Sequence, residues 1–158
     1  MNKIKVLFVC LGNICRSPTA EGIFRHLVKE NGLDGKYEID SAGTSHWHIG
    51  EQPDPRAINE AQCHGINISE QRSRQVVMED FEQYDYIVGM DQENCRELRK
   101  ICPKHLQHKI HLLTNYAPGL EVQGVPDPYY GGPNGFSKVF GIIEASAIGL
   151  LKAVESNS

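Results

Sequence analysis

Ile4-Lys5-Val6-Leu7-Phe8-Val9-Cys10-Leu11-Gly12-Asn13-Ile14-Cys15-Arg16-Ser17-Pro18 is the stretch on which the reading of the fold turns. Ile4 to Val9 is a short, nearly unbroken apolar run with Lys5 as its one charge, the pattern of a central parallel strand buried on both faces. Ser17-Pro18 predicts a helix N-cap followed by proline at the first helical position. Ala20, Ile23, Phe24, Leu27 and Val28 then make one apolar stripe on that helix, which Asn31-Gly32 ends. Strand, short loop and helix in succession open an α/β layer fold.

The alternation continues along the chain. Tyr37 to Ala42 reads as a second strand, and Asp54-Pro55 starts a helix that Gly65 stops. Tyr86 to Met90 is a third strand, followed by a helix capped by Asp91 and closed before Pro103. Ile110 to Leu113 is a fourth, and a loop rich in Pro and Gly runs from about Pro118 to Asn134. Phe136, Val139, Phe140, Ile143, Ala147, Leu150, Leu151 and Val154 fall at helical spacing and define the last helix. The expected fold is a three-layer α/β domain: a four-stranded, mainly parallel sheet flanked by helices. Right-handed crossovers put functional loops at the carboxyl ends of the strands.

With 158 residues, no repeat and no low-complexity block, residues 1–158 are expected to form one domain. Hydrophobic residues make up 40% and charged residues 23%, which excludes a disordered chain. A formal net charge of -4 argues against a surface built for nucleic acid or anionic membrane, because phosphate backbones require a basic one. Any phosphate chemistry must come from a local site. The apolar run Val6 to Leu11 is too short for a signal-peptide core, and no stretch approaches the ~20 apolar residues of a membrane span. Together with five cysteines, an odd number, this points to a reducing cytoplasm.

The loop after the first strand carries the chemistry. Cys10 ends the strand, five residues intervene, and Arg16 stands at the helix start. A loop of that length can curl so that successive backbone N–H groups point inward, an anion nest at the positive end of a helix. Gly12 and Asn13 tolerate the left-handed backbone that such a curl needs. Arg16 supplies a planar fork for two phosphate oxygens. Cys10 faces the same nest, with the helix end, Arg16 and the Ser17 hydroxyl all suited to a thiolate beside a bound tetrahedral anion. Alone, a cysteine and an arginine at this spacing also describe a buried strand residue and a surface cation. The strand before, the glycine inside and the Ser-Pro helix start after it favour the nest.

Val6 to Pro18, and Cys10-Leu11-Gly12-Asn13-Ile14-Cys15-Arg16-Ser17 within it, resembles the signature of the low-molecular-weight protein tyrosine phosphatases. Asp127-Pro128-Tyr129-Tyr130, in the loop after the fourth strand, resembles the segment that carries that family's general acid. Asp40-Ser41-Ala42-Gly43-Thr44, Met90-Asp91 and the overall length agree as well, so the resemblance covers essentially the whole chain. It implies Cys10 as nucleophile, Arg16 as the phosphate-binding and transition-state-stabilising cation, and Asp127 as proton donor. Leu11, Gly12, Asn13, Ile14, Cys15 and Ser17 then complete the phosphate-binding loop, with Asn13 holding its shape and Ser17 assisting the thiolate. Tyr129 and Tyr130 become one wall of a cleft deep enough for phosphotyrosine, and Trp47, between His46 and His48, the opposite wall. Cys15 resembles the family's second cysteine, which bonds to the nucleophile on oxidation. No metal and no cofactor is implied. The implied partners are a tyrosine-phosphorylated protein substrate and a cognate tyrosine kinase, with the enzyme itself a monomer.

Cys63, before His64-Gly65, reads as buried filler, and Cys95 and Cys102 as structural thiols poorly placed for pairing. Asp91 reads as an N-cap first and a residue supporting the site second. Two other uses of such a loop compete. An arsenate reductase needs a cysteine relay whose first member ends the third strand, where this chain has Met90. A cysteine phosphocarrier should avoid residues that speed hydrolysis, yet Arg16 and Asp127 are present. The acidic stretch from Glu79 to Glu93 reads as a solvated helix face.

Overall fold

Strand β1, Ile4–Cys10, lies between two parallel neighbours, β2 (Tyr37–Gly43) and β3 (Tyr86–Gly89). Strand β4 (Ile110–Leu112) adds in parallel outside β3, giving the order β2-β1-β3-β4 and a wholly parallel sheet. The computed structural model describes residues 2–158 apart from Pro118, Glu121, Tyr129, Tyr130, Gly131 and Pro133. Pairing runs from Ile4↔Tyr37 to Cys10↔Gly43 on one side and from Val6↔Tyr86 to Val9↔Gly89 on the other.

The unbroken apolar run of β1 follows from its two covered faces. Val6, Phe8 and Cys10 belong to the core under α1 (Arg16–Glu30), α2 (Pro55–Cys63) and α5 (Gly135–Ser156). Leu7 and Val9 belong to the core on the other face, with Phe81 of α3 (Met78–Gln83) and Leu98 of α4 (Gln92–Ile101). Because β1 is flanked by β2 on one side and β3 on the other, the chain reverses its direction of winding at β1. The crevice at its carboxyl end is the switch point where ligands of such sheets bind.

Most boundaries fall within a residue of where the sequence puts them, β3 ending at Gly89 rather than Met90 and β2 at Gly43 rather than Ala42; the larger differences follow. Helix α1 begins at Arg16, so Ser17 sits inside the first turn and Cys15 takes the capping position without a side-chain cap. The Ser17 hydroxyl is engaged by Cys10 and Asn13 instead. Pro18 remains in the first turn, where a missing N–H costs nothing. Leu113 leaves β4 for a 3-10 turn over Leu113–Tyr116. Helix α3 forms within the acidic stretch, burying Asp80 and Phe81, so part of that stretch is not a solvated face. Cys63, at the end of α2, is exposed rather than buried, since α2 buries only its Ala57 and Ala61 positions. Among the described residues no helix is long and apolar enough to cross a membrane.

Candidate active site

The loop from Cys10 to Arg16 is shaped by where its carbonyls go. Cys10 O accepts from Thr44 N at 2.9 Å and Leu11 O from Ser45 N at 2.9 Å. Gly12 O accepts from Ser73 Oγ at 3.0 Å, Ile14 O from Asp54 N at 2.7 Å, and Cys15 O from both Thr19 N and Thr19 Oγ1. Five of the loop's carbonyls are thus tied outward, to the β2 exit, the 66–77 segment, the α2 cap and α1. Among the described residues no acceptor takes the N–H groups of Ile14, Cys15 or Arg16. A loop that spends its acceptors outward leaves its donors for an anion.

Asn13 makes the curl, at φ 57°. Gly12 does not use a left-handed backbone; a Cβ there would stand 3.0 Å from His48 Cδ2, so what it provides is room. The Asn13 amide is fully used. Its Nδ2 donates to Ser17 Oγ at 2.8 Å and Ser41 Oγ at 3.0 Å, and its Oδ1 accepts from Arg74 N at 3.0 Å. The Ser41 hydroxyl in turn donates to Glu21 Oε1 at 2.7 Å. Glu21 is buried, which raises its pKa despite the opposing bonds from Arg25 and Ser41. A buried polar chain therefore runs from Glu21 through Ser41, Asn13 and Ser17 to Cys10.

Cys10 Sγ lies at the loop's floor, 3.0 Å from Ser17 Oγ and accepting from Asn13 N at 3.3 Å. Arg16 is buried, with Nη1 donating to Asp91 Oδ2 at 2.6 Å and Val125 O at 3.0 Å. Burial disfavours its charge, but Cys10, Asp91 and Asp127 outweigh that and raise its pKa. Asp91 is shared. Its Oδ1 caps α4 by accepting from Asn94 N at 2.7 Å while its Oδ2 aims Arg16. Burial pushes the Cys15 thiol far up, with Asp54, Cys10 and Asp127 adding to the shift, so Cys15 is held neutral.

Asp127 arrives from the opposite direction. Val125 N donates to Met90 O at 2.7 Å, and Gly124 forms an antiparallel bridge with Asp91. Gly124 sits at φ +129°, and a Cβ on it would meet Asp91 at 3.1 Å, so only glycine lets the segment lie this close. The segment is thereby fixed to the end of β3, and the exposed Asp127 lines the same cleft as the loop. That cleft, of about 210 Å³, is lined by Cys10, Leu11, Gly12, Ile14, Cys15, Arg16, Trp47, His48 and Asp127. Leu11, Ile14 and Trp47 give it apolar walls above a polar floor.

Of the residues singled out from sequence, the loop, Trp47 and Asp127 meet at one cleft. Tyr129 and Tyr130 lie outside the described residues. His48 joins the cleft lining, whereas His46 does not. Sequence reasoning missed the residues that hold the loop from behind: Ser73, Arg74, Asp54 and Glu21. Asp54 was legible only as a helix cap, and nothing local marks Ser73 or Arg74, which reach the loop across more than fifty residues of chain. Among the described residues no group of three or more His, Cys, Asp or Glu side chains is placed to hold a metal ion.

The family model described as low molecular weight phosphotyrosine protein phosphatase matches residues 5–158. A Schizosaccharomyces pombe protein named low molecular weight phosphotyrosine protein phosphatase is 44% identical over 87% of this chain and 88% of its own. A crystal structure of a protein tyrosine phosphatase from Entamoeba histolytica superposes with a TM-score of 0.95 at 40% identity, covering 98% of this chain and 99% of that one. YfkJ from Bacillus subtilis gives a TM-score of 0.95 at 40% identity, covering all of this chain and 98% of its own. With the family model matched over residues 5–158 and relatives 40% or more identical over most of their length, the chain belongs to the low molecular weight phosphotyrosine protein phosphatase family.

Proposed function

We propose that the chain hydrolyses phosphotyrosine in proteins, and aryl phosphates generally, through a cysteinyl-phosphate. The observation that carries this is the loop whose carbonyls turn outward around Cys10 Sγ, with Arg16 and Asp127 on the same cleft. In the first step the Cys10 thiolate attacks phosphorus in line. The sulfur–phosphorus bond forms, the bond to the phenolic oxygen breaks, and Asp127 delivers its proton to that oxygen. The loop N–H groups and the Arg16 guanidinium hold the equatorial oxygens, where charge gathers in the transition state. In the second step Asp127 takes a proton from water, water oxygen attacks phosphorus, and the sulfur–phosphorus bond breaks to free phosphate and the thiolate.

The cleft's apolar walls, Leu11, Ile14 and Trp47, suit an aromatic ring above the phosphate. Cys15 lines the same cleft as Cys10 and is the natural partner for a reversible disulfide. With peroxide as oxidant, two thiols give one disulfide and two waters, and a thiol reductant returns them. Five cysteines, an odd number, favour a reducing compartment such as the cytoplasm.

The test rests on leaving groups. Cys10→Ser should abolish turnover of p-nitrophenyl phosphate while vanadate or phosphate still binds, and Cys15→Ser should keep most activity. Asp127→Asn should lower phosphotyrosine hydrolysis by about 10²–10⁴-fold, because a phenol leaves poorly without a proton. Nitrophenol leaves readily as an anion, so its release should suffer less. Substantial turnover by Cys10→Ser ends the proposed mechanism, and equal slowing of all leaving groups removes Asp127 as the acid.

A further inference from the structure

A second groove, of about 480 Å³, opens beside the cleft and shares Leu11, Arg16, Trp47 and Asp127 with it. Its far wall is α4, which presents Glu93, Glu97 and Ile101 to the groove. These residues are spaced i, i+4 and i+8, so they form one line along the helix. Asp91, the N-cap of α4, borders the groove at its Arg16 end. The basic residues of α4, Arg96, Arg99 and Lys100, do not line the groove. Arg96 and Lys100 pair with Glu93 and Glu97 from the side, as exposed ion pairs that give way easily to a competing cation. Leu11, Trp47 and Ile101 are large, exposed apolar side chains, and all three border this one groove. Exposed apolar surface rimmed by charge marks a binding face.

Resting on the phosphatase reading above, we infer that this groove seats the chain flanking the phosphotyrosine, in extended form, and selects a basic residue there followed by an apolar one. The groove runs on from the cleft, so a chain anchored by its phosphotyrosine has this channel as its exit. From Glu93 to Ile101 the helix rises about 12 Å, at 1.5 Å per residue, a length that roughly three to four extended residues cover. A lysine or arginine nearest the anchor meets Glu93 and Glu97, and an apolar side chain beyond it meets Ile101. An acidic flank in the same place faces Glu93 and Glu97 with like charge. The occupant is therefore a basic-flanked phosphotyrosine segment of a protein.

The test compares phosphotyrosine peptides identical except for Lys, Ala or Glu at each of the three positions on either side, with p-nitrophenyl phosphate as the control that has no flank. Wild type at low salt should favour Lys over Glu by about three- to tenfold in kcat/KM on one side of the phosphotyrosine, and added salt should shrink the preference. Glu97→Lys should reverse that order and leave p-nitrophenyl phosphate turnover within about twofold, which also shows that the variant is folded. Ile101→Ser should lower kcat/KM only for peptides with an apolar residue at the distal position. Indifference of the wild type to flanking charge overturns the inference, and so does a lysine preference that survives Glu97→Lys. Failure of the wild type to turn over p-nitrophenyl phosphate at all removes the phosphatase reading instead, and the groove's assignment with it.

Discussion

Asn13 shows how much one side chain can decide. It supplies the loop's left-handed backbone at φ 57° and joins Ser17, Ser41 and Arg74 through a fully used amide. Removing that amide leaves buried partners unpaired, at about 1–3 kcal/mol each. It also frees the loop that aims its N–H groups, and a misplacement of about 1 Å can cost roughly 10²-fold in rate. Asn13→Ala should therefore lower kcat for p-nitrophenyl phosphate by about 10–100-fold and shift the urea midpoint downward. Asn13→Gly separates the two contributions, since glycine accepts the backbone but not the hydrogen bonds. A glycine variant with wild-type kcat would show that the backbone alone sets the loop.

At the scale of elements, the cap of α2 ties a helix to the loop. Asp54 Oδ1 accepts from Arg56 N at 2.8 Å, both carboxylate oxygens take the Arg56 guanidinium, and Asp54 N donates to Ile14 O. The side-chain bonds from Arg56 outweigh burial and hold the Asp54 carboxyl below its usual range. With the folded-state value lowered, the unfolded chain binds the proton more readily. The stabilisation is complete above the ordinary aspartate range and is lost as pH falls through the lowered value. Asp54→Ala should cost about 1 kcal/mol in urea unfolding at pH 7. Asp54→Asn should keep most of the cap and lose this part of the acid dependence. An Asn variant with an unchanged acid limb would assign that dependence to other carboxylates.

For the molecule as a whole, α5 closes one core, and its seating against the turn after β4 leaves no space for a methyl group. A Cβ on Gly149 would fall 1.7 Å from Tyr116 O, a backbone atom that cannot swing aside. A Cβ on Gly141, in the same helix, meets nothing within 4 Å. Gly149→Ala should destabilise by about 1–3 kcal/mol or more through forced displacement. Gly141→Ala should stabilise by up to about 1 kcal/mol through helix propensity. Because α5 packs on the core that includes Phe8 and Cys10, the loss should appear as a lower midpoint of one cooperative transition, not a local fraying. Thermal unfolding of both variants checks the contrast, and equal effects would mean that the close approach is absent.

The alternation of strands and helices, the strand that carries the loop, and the loop's cysteine and arginine are all legible in the chain, because they rest on local periodicity and spacing. Val6 to Val9 could be read as doubly buried without knowing what covers it, and Cys10 and Arg16 lie within one short loop. The helix starts two residues before the position that Ser17-Pro18 predicts, because Ser17 has two possible uses. Its hydroxyl can cap a helix or serve a neighbour, and the choice depends on Cys10 and Asn13 lying beside it. No local pattern shows that Ser73, Arg74 and Asp54 hold the loop, that Asp91 aims Arg16, or that Gly124 brings Asp127 to the cleft; folding makes those contacts. Those contacts join residues far apart in the chain, where hydrogen bonds are selected by the geometry of the parallel sheet's carboxyl edge and no local pattern records them.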